Sequence, residues 1–126
     1  MSSDEETIKF IETTEVVPGV RCDIYAYVDD SQKDLAVVTV NPGCKTPLQR
    51  VVSGIKTLEK FVSGKGILRI RTVSGEEKKY SYPGSQTEVE VEIGQLMQWE
   101  AIDMPLVFEE MCCPPYTEGR FENISN

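Results

Sequence analysis

Turn residues set the limits on what this chain can fold into. Pro18-Gly19, Pro42-Gly43, Gly64-Lys65-Gly66, Ser74-Gly75 and Pro83-Gly84 cut it into short stretches. Glycine tolerates positive φ, and proline fixes φ and removes a donor, so a helix does not run through such clusters. Between them the side chains alternate with a period of two. In residues 20–28, Val20, Cys22, Ile24, Ala26 and Val28 share one face and Arg21, Asp23, Tyr25 and Tyr27 the other. Residues 35–40 read as a continuous apolar strand, after a polar connection over 29–34. Residues 67–73 set Leu68 and Ile70 against Arg69 and Arg71, and residues 87–93 set Val89, Val91 and Ile93 against Glu88, Glu90 and Glu92. Further strands are expected at 7–14, 58–62, 78–82, 95–101 and 105–111. No stretch long enough for a helix carries a 3.6-residue period. The pattern predicts an all-β sandwich or barrel.

At 126 residues the chain fits one domain with one core. Residues 1–6 (Met-Ser-Ser-Asp-Glu-Glu) are polar and read as a flexible N-terminus, with the domain over 7–126. They lack the apolar core of a signal peptide, and no apolar run reaches the roughly 20 residues of a membrane span. A cytoplasmic protein without membrane contact is the expectation. The formal charge of -8 and pI near 4.6 argue against nucleic acid, which needs clustered Lys and Arg. The four cysteines, Cys22, Cys44, Cys112 and Cys113, form no C-x-x-C, so reduced, mostly buried thiols are expected. There is no histidine, which removes the commonest metal ligand and any Ser-His or Cys-His relay.

From residue 20 to 124 the chain resembles the cupins, a family of small jelly-roll β-barrels. The resemblance rests on Pro42-Gly43, Pro47, Gly64-x-Gly66 with Ile67, Leu68 and Ile70, then Trp99-Glu100-Ala101, residues 106–109, Pro114-Pro115-Tyr116 and Gly119-Arg120-Phe121. It implies a cupin-type jelly-roll β-barrel, with a tail from about 112 packed on the barrel or on a partner subunit. It also implies a homodimer, in which pairing would protect an apolar edge strand such as 35–40.

The family's metal site carries H-x-H, a Glu and a second-motif His. The resemblance sets Gln49 and Val51 at the first two positions, Thr57 or Glu59 at the third and Met97 at the fourth. Valine does not coordinate, and Gln, Thr and Met are poor ligands for a hard divalent ion, so no metal and no cofactor are expected. What remains is a barrel mouth. Gln49, Val51, Met97 and Trp99 are expected near it, with Arg50, Arg69 or Arg71 in reach and Tyr25 or Tyr27 on its wall. Arg, Gln and an aromatic ring suit a sugar-like or carboxylate-bearing small molecule. Glu100 and Glu109 are the candidate acid/base groups for a metal-independent isomerase, epimerase or lyase. Plainer readings stand beside these. Trp99 can plug the core, Arg69 and Arg71 can pair with Glu88, Glu90 or Glu92 at the surface, and a filled mouth would suit a non-catalytic interaction protein.

Overall fold

The computed structural model describes residues 7–117 and 119–124. The N-terminal segment 1–6 and Ser125 of the Asn123-Ile124-Ser125 sequon lie outside the described residues. The strands are β1 (Ile8–Val17), β2 (Val20–Tyr27), β3 (Asp30–Val40), β4 (Gln49–Val51), β5 (Lys56–Ser63), β6 (Gly66–Arg71), β7 (Glu77–Tyr82), β8 (Glu88–Glu90), β9 (Leu96–Ala101), β10 (Leu106–Cys113) and β11 (Phe121–Asn123). They build a six-stranded sheet, β1-β2-β3-β10-β5-β8, facing a five-stranded sheet, β11-β4-β9-β6-β7. Every pairing between named strands is antiparallel.

The alternation fixes which side chains face inward. Val20, Val38 and Val40 from the large sheet meet Leu68, Ile70, Met97 and Ala101 from the small one. A run of stacked rings crosses between the sheets. Phe61 lies on Tyr82 with centroids 4.7 Å apart, Tyr82 on Trp99 at 5.5 Å, and Trp99 on Phe108 at 4.4 Å. Offset stacks of this kind add about 0.5–1.5 kcal/mol each beyond their area. The turn before β6 is tight enough that a Cβ at Gly64 would collide with the Pro105 carbonyl oxygen, and its φ is +92°.

The structure corrects four expectations. Residues 29–34 are not a connection. The turn is Val28-Asp29, Tyr27 pairs with Asp30, and the polar residues from Asp30 onward are already strand. This end of β3 runs past the core, so no apolar alternation marked it. Residues 35–40 are not an edge, because β3 lies between β2 and β10. The open edges of the large sheet are β1 and β8, and β1 carries the exposed Ile8, Phe10 and Ile11. Ile93 is exposed although Val89 and Val91 are buried, because β8 stops at Glu90. Arg69 and Arg71 do form surface pairs, but with Glu100 and Glu77 rather than Glu88, Glu90 or Glu92. Their strand β6 sits between β9 and β7, whereas β8 borders the other sheet.

Candidate functional site

One end of the barrel holds a cavity of about 610 Å³. Its wall comes from the inward positions of β2 and β3 (Val20, Cys22, Ile24, Asp34, Ala36, Val38), from β10 (Phe108, Glu110, Cys112) and from the segment Thr46–Gln49. Glu12 and Glu15 of β1 stand at its rim, and Tyr116 and Phe121 of the C-terminal segment complete it.

The register places two rungs with polar groups across β3, β10 and β5. Cys112 is opposite both Asp34 and Thr57, and Glu110 is opposite both Ala36 and Glu59. Glu59 and Glu110 are therefore cross-strand neighbours on the inward face. Two like charges directly opposite each other repel. Glu59 is 1% exposed; its Oε1 accepts the indole N–H of Trp99 at 2.8 Å. Its Oε2 has no hydrogen-bond partner among the described atoms, and the Glu110 carboxyl is within reach. A single proton held between the two carboxyls resolves both problems. Burial, then the Glu110 charge, pushes Glu59 well above the usual carboxyl range. Burial also raises Glu110, while the hydrogen bond from Glu59 and the charge of Arg120 pull it back. We place the shared proton on Glu59, with Glu110 as its acceptor.

Asp34 is raised by burial too, against the backbone donors of Tyr116 and Cys112 that favour its charge. Its Oδ2 accepts the Tyr116 N–H at 2.9 Å, and its Oδ1 is buried without a donor. Burial and the surrounding acids push the Cys22 thiol up to about 12 and Cys112 higher still, so neither is a nucleophile at neutral pH.

Arg120 is the cation behind this cluster and is 2% exposed. Its guanidinium donates to the Pro114 carbonyl at 2.7 Å, the Lys56 carbonyl at 2.6 Å and Thr57 Oγ1 at 3.0 Å. It is a clip between the C-terminal segment and β5. Gly54 leaves the room it needs, since a Cβ there would lie 2.5 Å from the guanidinium carbon.

The residues expected from the sequence divide into two groups. Gln49 lines the cavity, opposite Met97 across β4 and β9, and its Nε2 donates to Asn123 Oδ1 at 3.0 Å. Val51, Met97 and Trp99 point inward and are buried in the core, and none of them lines the cavity. The remaining candidates face outward. Arg69 and Glu100 bind each other at 2.7 Å on the outer side of the small sheet. Tyr25 packs edge-on against Phe10, on the opposite face of β2 from Val20, Cys22 and Ile24. Lys33 sits over the Tyr27 ring at 4.5 Å. Glu109 alternates with Glu110 and points away from the cavity; Arg50 pairs with Glu122. Sequence reasoning missed Glu110, Asp34 and Arg120. Glu109 and Glu110 are adjacent, and one residue of register decides which faces inward.

The four positions that correspond to the family's metal ligands do not fit such an ion. Val51 and Met97 are buried core, Gln49 is bonded to Asn123, Thr57 accepts from Arg120, and Glu59 holds the proton it shares with Glu110 and accepts from Trp99. No group of three or more His, Cys, Asp or Glu among the described residues is arranged to hold one.

No protein-family model matches the chain, and no curated protein matches it. Its shape does match solved structures. It is similar to oxalate decarboxylase from Bacillus subtilis, with TM-score 0.72 and 22% identity, over 90% of this chain and 30% of that one. It is similar to the oxalate decarboxylase formate complex from Lactobacillus farciminis, with TM-score 0.73 and 15% identity, over 90% and 33%. The capsular polysaccharide assembling protein CapF from Staphylococcus aureus matches with TM-score 0.68 and 16% identity, over 95% and 35%. The chain spans about a third of the length of these proteins. At such identities the likeness speaks for the fold alone. Both kinds of neighbour are cupin-fold proteins, and this chain has the same fold, a cupin-type jelly-roll β-barrel.

Proposed function

We propose that this chain binds a small polar, sugar-like molecule in the mouth of its barrel. The observation that carries the reading is the cavity of about 610 Å³ between the sheets, walled by rings and aliphatic side chains with a few convergent polar groups. That composition and size are those of a small-molecule site. The Asp34 Oδ1 on its wall has no donor, and a ligand hydroxyl would supply one. Of the two ligand classes expected from the sequence, a carboxylate-bearing one has less support. Four carboxyl side chains and no Lys or Arg line the cavity, and the Arg120 guanidinium is turned toward backbone carbonyls.

One observation favours a second, catalytic reading. The Glu59–Glu110 pair can hold one proton beside the cavity, and Glu110 is on its wall. A metal-independent isomerase or epimerase needs such a group to take a proton from carbon and return it. A filled mouth, the mark of a purely structural role, is the reading with least support, because Val51, Met97 and Trp99 are core residues outside the cavity's lining.

A thermal-shift screen against sugars, nucleotide sugars and organic acids tests the binding reading. A ligand that binds only the folded state adds about 2.7 kcal/mol at a hundredfold excess over its Kd. The expected result is a sugar-like hit that weakens in Gln49→Ala. A flat screen, with the protein folded, would shift the proposal to an interaction protein.

A further inference from the structure

We propose that the molecule taken up by the barrel mouth carries a protonated amine, seated between Glu110 and Asp34 with its carbon skeleton against Phe108, Tyr116 and Phe121. The inference rests on the reading of the mouth as a small-molecule site and names the class of ligand.

Three observations converge. The first is charge. The cavity wall takes carboxyl side chains from three strands, Glu12 and Glu15 of β1, Asp34 of β3 and Glu110 of β10, and not one basic side chain. Arg120, whose charge reaches Asp34 and Glu110, is not on the wall; its Nη1 and Nη2 groups donate to the carbonyls of Lys56 and Pro114 and to Thr57, and its Nε is buried without a partner. It is not a hydrogen-bond partner for the wall.

The second is unmet acceptor capacity. The Asp34 Oδ1 is buried on the wall without a donor, and Glu110, the acceptor of the Glu59 proton, carries the charge of that pair. Buried oxygens of this kind cost free energy until a donor arrives. An ammonium brings three N–H donors and no acceptor. A hydroxyl brings one donor and adds lone pairs to a wall already rich in them.

The third is the aromatic surface. Tyr116 and Phe121 stack with centroids 5.8 Å apart, and both line the cavity with Phe108. Ring faces attract an organic cation and also cover its apolar part. A neutral polyol gains only the second effect. Charge, missing donors and rings therefore all favour the amine over its hydroxyl counterpart.

Isothermal titration calorimetry on the full chain near pH 7.5 tests this with matched pairs that differ in one group: glucosamine against glucose, and 4-amino-1-butanol against 1,4-butanediol. The amine member of a pair is expected to bind at least tenfold more tightly, with affinity falling as salt rises. Glu110→Gln, which keeps the shape, should lose at least tenfold for the amine and little for the hydroxyl member. Asp34→Asn also weakens the side-chain acceptor of the Tyr116 N–H, so Glu12→Gln on the exposed rim is the second variant and should lose about twofold. Equal or tighter binding of the hydroxyl members would overturn the amine inference and leave the sugar-like reading standing. Binding of no member of either pair, with the protein folded, would overturn both.

Discussion

Glu59 is the residue on which the interior chemistry turns. A carboxyl stands in a core position because the Trp99 N–H gives it one hydrogen bond and a proton shared with Glu110 gives it a second. Both groups, and Asp34, bind their protons more tightly in the folded state than as free carboxyls. The stability they contribute is thus fully present below the free carboxyl range, near pH 4.3, and is lost as pH rises through their raised values. Glu59→Gln keeps an acceptor for Trp99 and offers Glu110 an amide donor at every pH. We expect it to gain on the order of 1 kcal/mol at neutral pH, and to flatten the fall in melting temperature between about pH 5 and pH 8. Equal slopes for the two proteins would dismiss the shared proton.

At the scale of elements, the β4–β5 loop and the C-terminal segment behave as one unit. β11 pairs with β4, the Val52 N–H donates to the Arg120 carbonyl, and Arg120 reaches across to Lys56 and Thr57 at the start of β5. Gly54 has φ of +110° and would put a Cβ into the guanidinium. Gly54→Ala should therefore cost about 2 kcal/mol or more, and Arg120→Met about 3 kcal/mol, because buried carbonyls lose their donor. The double variant should cost clearly less than the sum, since both changes break the same clip. Urea denaturation of the four proteins checks this, and additive losses would show that the loop and the tail act separately. The strands themselves were legible in the sequence, from the alternation in 20–28 and 67–73. The clip was not, because one arginine between Gly119 and Phe121 carries no period.

The whole molecule is an acidic barrel with a formal charge of -8, and its cavity concentrates acid further. Self-repulsion of that kind works against the compact state and is screened by salt. The melting temperature near pH 7.5 should rise by a few degrees between about 0.01 M and 0.3 M NaCl, and by less at lower pH, as the raised carboxyls take up protons. A fall with salt would mean that ion pairs such as Arg69–Glu100 outweigh the repulsion. Both sheets contribute to the mouth, so a ligand there would tie β1, β3 and β10 of one to the segment before β4 of the other.

The sequence by itself determined the class of fold. A period of two in the side chains, broken by Gly and Pro turns, leaves an antiparallel β structure as the way to bury one face of each strand. It also determined that the histidines of a cupin metal site are missing, since the chain has none. Only the tertiary structure decided which acids face one another. Glu109 and Glu110, or Asp34 read within a polar run, are equivalent until pairing with β3 and β5 sets the register. The same is true of Arg69 and Glu100, which looked like site residues and meet on the outer face. Alternation along a strand states that two faces exist. Which one is inside depends on contacts between residues far apart in the chain.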